Sequence, residues 1–327
     1  MKKKSYLYIF TSLLVCFFVL SACGNNQDED NASDSDNENK QTETENESGE
    51  RTLTDAMGNE VTIPENPERV IASYLEDYLV ALDITPVAQW SVQDGASIQD
   101  YLQDSLGDVP TIPHDLPYET VASHDPDLII MDSAEMVEGN KYEQYSSIAP
   151  TYVVGTEQNN DWREEFKQIG EIFGREDDVQ KELDEYKQKA EEAGEKIQTA
   201  IGDESVAAIW LVGGTFYIVS DNLSSGDVLY NDLGLALPNV VKEISESSEA
   251  NWSEISLEKL AELDADHIFL INSDGEGAEA LQDDIWQNIP AVKNDNIYEY
   301  GPESSWLYTG PVANEQMIDV AVESLTE

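Results

Sequence analysis

Between Asp177 and Ile201 the chain reads DDVQKELDEYKQKAEEAGEKIQTAI, and this stretch limits the choice of fold more than any other. Its apolar residues, Val179, Leu183, Tyr186, Ala190, Ala193 and Ile197, fall alternately four and three apart, which is one stripe of a helix. Good helix formers fill the other positions, and only Gly194 counts against the helix, by roughly 1 kcal/mol. About 24 residues rising 1.5 Å each make a rod of roughly 36 Å, longer than a usual globular helix. The rod lies near the middle of a 327-residue chain, long enough for two domains with real cores. Segments of α/β texture flank it. Two lobes are therefore expected to hang from the rod: 51–173, then the linking helix 174–201, then 202–327.

In the first flank, residues 52–63 read as a hairpin turning near Gly58-Asn59. Strands are expected at Arg69–Ala72, Val87–Trp90, Asp127–Met131 and Thr151–Val154, with a helix at Leu75–Leu82. Asp161 and Glu164 form a capping box ahead of the buried stripe Trp162, Phe166, Ile169 and Phe173, and Gly174 ends that helix. In the second flank, Val206–Val212, Phe216–Val219, His267–Ile271 and Asn296–Tyr300 read as strands. Helical stretches near Val228–Leu233, Leu257–Glu262 and Ala313–Leu325 alternate with them. Strands alternating with helices imply an α/β fold with parallel-type sheets covered on both faces.

Two windows align across the rod without a gap. Leu116–Ile130 (LPYETVASHDPDLII) and Ile255–Phe269 (ISLEKLAELDADHIF) share Glu119/Glu258, Ala122/Ala261, Asp125/Asp264, Asp127/Asp266 and Ile129/Ile268. Each reads as a helix opening with glutamate, a polar turn, then a buried strand. An echo follows each window: YSSIAP at Tyr145–Pro150 and WQNIP at Trp286–Pro290. A repeated supersecondary unit argues that the two lobes share one fold.

The N-terminus is a secretory signal: Lys2-Lys3-Lys4, then an apolar run from Tyr6 to Leu20, too short to span a membrane. It ends in Leu20-Ser21-Ala22-Cys23, which resembles the lipobox of bacterial lipoproteins. That resemblance implies a signal peptide 1–22, cleavage before Cys23, and acyl chains on Cys23 that hold the protein on a membrane. Cys16 leaves with the signal, so the mature chain has no cysteine pair. Residues 24–50 carry ten acidic side chains, one lysine and no aliphatic residue beyond Ala32. Such a segment cannot offset the entropy of ordering and serves as a tether. Lys2, Lys3 and Lys4 also leave with the signal, so 14 basic residues face 68 acidic ones, a net charge near −54. That surface repels nucleic-acid phosphates and anionic membranes, and fits a saline or alkaline exterior.

The signal, the hairpin stretch TDAMGNEVTIPENPERVI (Thr54–Ile71), the LPYETVASHDPDLII window and the rod together resemble one family. It is the iron-siderophore class of ABC-transporter substrate-binding lipoproteins, relatives of the vitamin B12 binder, and the resemblance runs from Arg51 to the C-terminus. It implies the class III periplasmic-binding-protein fold: two Rossmann-like lobes with parallel-type sheets, joined by a single long α-helix. It implies a monomer on the outer face of the bacterial cytoplasmic membrane that binds and does not catalyse. The iron would come inside its siderophore, with no protein ligand to metal and no cofactor. The resemblance further implies that Glu119 and Glu258 dock onto arginine pockets of the permease; without it, each reads as an acid favoured in the first turn of a helix.

Ligand-facing residues in such sheets come from loops at the carboxyl ends of strands. That rule nominates Tyr74, Trp90, Ser91, Asp132 and Ser133 before the rod, and Trp210, Gly213, Gly214 and Asn272 after it. The resemblance adds Tyr217 and Trp306, with Tyr308 close by. The chain also departs from the family: Leu223 and Ser225 stand where some hydroxamate-binding relatives carry tryptophan and arginine. After Asp203 the only basic residues are Lys242, Lys259 and Lys293, none of them placed as a cleft residue. A trianionic ferric catecholate would need several cations in a partly desolvated cleft, whereas a ferric hydroxamate would not. Hydroxamate is therefore favoured, with haem or a corrinoid as the alternative. A bare-metal binder is disfavoured by having only His114, His124 and His267. A surface enzyme or adhesin is more remote, since no nucleophile elbow, P-loop or dinucleotide fingerprint is present.

Overall fold

The structure is a computed structural model and describes residues 50–93, 95–156, 159–248 and 250–327. The signal segment, Cys23 and nearly all of the acidic tether lie outside the described residues. The expected hairpin forms: β1 (Arg51–Thr54) and β2 (Glu60–Ile63) pair antiparallel. Asp55 closes its turn by accepting from the backbone N–H groups of Met57 and Asn59, at 3.0 and 2.8 Å. Arg51 donates to the carbonyls of Glu171 and Ile172 in the last turn of their helix.

The first half builds β3 (Val70–Ala72), β4 (Gln89–Ser91), β5 (Thr111–Pro113), β6 (Leu128–Ser133) and β7 (Thr151–Gly155). β3, β6 and β7 form a parallel sheet with β6 in the middle. β4 pairs with β5 as a separate parallel ladder, tied to β3 by the bond from Val87 N–H to the Val70 carbonyl at 2.9 Å. Tyr78, Phe166 and Ile169 are among the residues covering one face of the sheet, and Val121 and Tyr145 among those covering the other.

The second half is a five-stranded sheet in the order β10-β9-β8-β11-β12, from β8 (Val206–Val212), β9 (Thr215–Val219), β10 (Trp252–Glu254), β11 (His267–Asn272) and β12 (Ile297–Tyr300). β8, β11 and β12 run parallel as expected, but β9 runs antiparallel to both its neighbours, β8 and β10, so this sheet is mixed. The reason lies in Gly213-Gly214. Both have positive φ, 59° and 76°, which suits a two-residue hairpin turn from β8 straight into β9. The Asp274 carboxylate accepts from both glycine N–H groups, at 2.6 and 2.7 Å, and fixes the turn.

The rod is a single helix, Glu176–Ile201, that buries Val179, Tyr186, Ala190, Ala193 and Ile197, with Leu183 half-buried. It packs against the helix Trp162–Phe173, against the C-terminal helix Pro311–Thr326 and against the turn Asp227–Asp232. That turn is π-helical, where sequence pattern suggested an ordinary helix: Leu233 N–H bonds to the carbonyl of Val228, five residues back. Gly194 faces it, and a Cβ there would stand 2.6 Å from the Leu233 carbonyl oxygen. The glycine that weakens the rod locally is what lets the second half lie against it.

The repeated windows occupy equivalent places. Each central strand, β6 and β11, follows its window's helix, Tyr118–Ser123 or Leu257–Leu260. The shared aspartates perform the same task. Asp127 accepts from the N–H groups of Glu68 and Arg69 just before β3, at 2.9 and 3.0 Å. Asp266 accepts from Ser205 N–H just before β8, at 2.8 Å, and from its hydroxyl at 2.9 Å.

Candidate functional site

The cleft between the two sheets is lined from both halves of the chain. Its floor is a small cavity of about 80 Å³, bounded by Tyr74, Tyr78, Asp132 and Glu165 on one side and by Ser224, Leu307 and Thr309 on the other. A wide groove of about 1410 Å³ adjoins it at Leu223, walled by Glu135 and Thr156 across from Asp221, Asn222 and Ser247. Among the described residues no lysine, arginine or histidine lines either space.

Aromatic rings crowd the floor. Tyr74 leaves β3 with φ of 70°, uncommon for so bulky a residue, and stays 42% exposed. Its ring meets Trp90 edge-on at 5.2 Å and Tyr308 at 6.2 Å. Tyr308 comes from the second half, packs on Tyr101 at 5.0 Å, and donates its hydroxyl to the Ile98 carbonyl at 3.2 Å. One side chain thus bridges the cleft.

Acids lie beneath those rings. Glu165 is buried on the helix Trp162–Phe173 and accepts from the Tyr78 hydroxyl at 2.7 Å and the Asn160 amide at 3.0 Å. Asp132, at the carboxyl end of β6, is hydrogen-bonded to it. Burial pushes both carboxyls above their ordinary range, and the Glu165 charge raises Asp132 further. Glu76 is fully buried, accepts from Trp90 N–H at 2.6 Å, and is pushed by burial up to about 8. Its neighbour Asp77 accepts from Val312 and Ala313 N–H, at 2.8 and 2.9 Å, capping the C-terminal helix. Burial still lifts Asp77 to about 6 against those bonds. Gly310 is required beside it, since a Cβ there would stand 2.4 Å from Asp77 Oδ1. A second tie between the halves runs from Arg163 to Asp227, at 3.0 Å, and to Asp232, which also accepts from the Tyr186 hydroxyl at 2.6 Å.

The residues nominated from sequence divide into three groups. Tyr74, Trp90, Asp132 and Tyr308 come together at the cleft floor. Trp210 and Tyr217 form a separate cluster with Trp252 on β8, β9 and β10, at 5.5 and 6.2 Å, and line neither cavity. The Trp210 indole N–H is donated to Ser273 Oγ at 2.9 Å. Ser91, Asn272 and Trp306 are withdrawn from the cleft, contrary to expectation. Ser91 is buried and donates to the Ile112 carbonyl within the β4–β5 pair. Asn272 is buried and donates to the Gly275 carbonyl and Glu299, organising the turn after β11. Trp306 is 1% exposed and stacks on Phe269 at 4.5 Å, so it is core.

Glu165, Tyr78, Asn160 and Ser224 belong to the cleft and escaped sequence reasoning. For Glu165 a signal existed: it falls three after Trp162 and four before Ile169, an acid inside the buried stripe. Glu119 and Glu258 are exposed in the first turns of their helices, and half-exposed Leu257 stands beside Glu258. His267 is buried between Glu204, at 2.8 Å, and Tyr298, at 3.2 Å, which makes it a structural residue. Among the described residues no group of three or more His, Cys, Asp or Glu is placed to hold a metal ion.

Comparison with known proteins places this geometry. A family model described as periplasmic binding protein matches residues 77–304. The chain is 29% identical to the iron(3+)-hydroxamate-binding protein FhuD of Bacillus subtilis over 331 residues, covering 99% of this chain and 98% of the relative. It is 25% identical to the probable siderophore-binding lipoprotein YfiY of the same organism, over 91% of each chain. Among solved structures, Staphylococcus aureus FhuD2 with bound ferrioxamine B superposes with a TM-score of 0.68 at 26% identity, covering 79% of this chain and 98% of that one.

Proposed function

We propose the function of this chain from the premise that it belongs to the periplasmic binding protein family. It is the extracytoplasmic binding component of an ABC importer, and it captures a ferric siderophore in the cleft between its two sheets. The observation that carries the ligand class is the cleft itself: tyrosine rings, hydroxyls and carboxyls line the small cavity, hydroxyls and carboxyls line the groove, and among the described residues no basic side chain lines either. A ferric hydroxamate, neutral or cationic, fits such a lining, whereas a trianionic catecholate would be desolvated against acids with no compensating cation. The hydroxamate and ferrioxamine relatives point the same way.

The finer parts of this reading follow from placement. Glu119 and Glu258, exposed on matched helices of the two halves, dock onto cationic pockets of the permease. Cys23 carries the lipid that anchors the chain at the outer face of the cytoplasmic membrane, with the acidic segment as tether. The protein acts as a monomer and needs no cofactor. Tryptophan-fluorescence titration with ferrichrome, ferrioxamine, schizokinen and a ferric catecholate tests the ligand class. Tight quenching by the hydroxamates is expected; a marked preference for the catecholate would refute the charge argument.

A further inference from the structure

We propose that the floor of the cleft reads a positive charge on its ligand: the Asp132–Glu165 pair accepts a primary ammonium borne by the ferric chelate, and so selects cationic hydroxamates over neutral ones. The inference rests on the siderophore reading above. Two carboxyls hydrogen-bonded to each other in a desolvated site cannot both ionise; they hold one proton between them and keep one negative charge. Among the described residues no lysine, arginine or histidine lines the cavity to neutralise that charge. Arg163, two residues from Glu165, is paired with Asp227 and Asp232.

Behind Trp90, Glu76 is fully buried, and its Oε2 has no hydrogen-bond partner among the described residues. Around these acids the rings of Tyr74, Trp90 and Tyr308 offer faces that attract a cation. Size separates the two spaces. The floor cavity, about 80 Å³, is many times smaller than the groove beside it, so the narrow ammonium-tipped chain is assigned to the cavity and the bulky iron centre to the groove. The adjoining groove of about 1410 Å³ has room for the chelate. The ligand class that fills both is a ferric hydroxamate with an amine-tipped chain.

Ferrioxamine B and its N-acetyl derivative share one iron centre and differ in that ammonium, so calorimetric titration of the full chain with both isolates the charge. The wild-type protein is expected to bind the ammonium form at least about tenfold more tightly, the worth of one charge-assisted hydrogen bond. Because either carboxyl alone could carry the pair's charge, the double change Asp132→Asn with Glu165→Gln, which keeps one oxygen at 165 as an acceptor beside Tyr78 and Asn160, is expected to bring the ammonium form down to the affinity of the acetylated one, with circular dichroism confirming the fold. Equal binding of both forms by the wild type overturns the inference and leaves the siderophore reading standing. A preference that survives the double change Asp132→Asn with Glu165→Gln also overturns it, by placing the ammonium elsewhere. Failure of both forms, with ferrichrome and schizokinen also silent, overturns the siderophore reading itself.

Discussion

Glu76 and Gly194 show how single residues here serve the assembly at local cost. Glu76 holds Trp90 N–H with one oxygen and leaves the other unpartnered in a fully buried place. Burial raises its carboxyl from an ordinary 4.5 to about 8, so the folded protein holds this proton more tightly than the unfolded chain. The sign follows: this group's contribution is fully present below pH 4.5 and is lost as pH rises through about 8. Asp77, lifted from 3.8 to about 6, acts in the same direction. Urea unfolding is therefore expected to give lower stability at pH 8.5 than at pH 5. Glu76→Gln, which keeps the acceptor for Trp90, should shrink that difference; an unchanged difference would mean that Glu76 titrates normally. At Gly194 the added methyl meets backbone, which cannot swing aside. Gly194→Ala should cost about 1–3 kcal/mol in a urea titration, despite the roughly 1 kcal/mol it gains in helix propensity. A net gain would show that the rod and the π-helical turn have slack between them.

At the scale of elements, the parts with strong periodicity were legible in the sequence. The rod's stripe, the capped helix after Asp161 and the strands β6, β8 and β11 lie within a residue or two of expectation, because each buries a continuous face. β5 and β10 were not legible: each has three residues, and pairing across the chain rather than pattern defines them. The antiparallel turn at Gly213-Gly214 had a sequence signal, two adjacent glycines between apolar runs, but it was read as a cleft loop. Burial decided the rest of the site. Trp306 sits in loop-like sequence yet packs on Phe269, and Glu165 sits on a charged helix yet faces the cleft; neither outcome is written in residue type. The repeat proved more informative for its aspartates than its length suggests. Asp127→Ala and Asp266→Ala each remove the acceptor of two hydrogen bonds from the neighbouring strand's entry, and each should cost about 1 kcal/mol or more in unfolding measurements. A neutral result at either would end the claim that the halves share this clamp.

At the scale of the whole molecule, side-chain ties bridge the halves besides the rod. Asp77 caps the C-terminal helix, and Arg163 joins the capped helix to the π-helical turn. Together with the Tyr308 bridge they favour a cleft that is largely preformed. The matched glutamates then report on delivery alone. The double change Glu119→Ala and Glu258→Ala should abolish transport in cells while leaving siderophore affinity within about twofold, since both side chains are exposed on helices outside the cleft lining. Lost affinity would place them in the binding machinery instead. The central claim is that the chelate lies between the halves, in the groove that adjoins the cleft floor at Leu223. Its most direct test is a crystal structure of the ferrioxamine complex with the iron located by anomalous scattering. The account predicts one iron peak in the groove near Leu223, where it adjoins the floor that Tyr74 lines; a peak on the outer surface, or against the separate Trp210–Tyr217 cluster with the floor untouched, would contradict it.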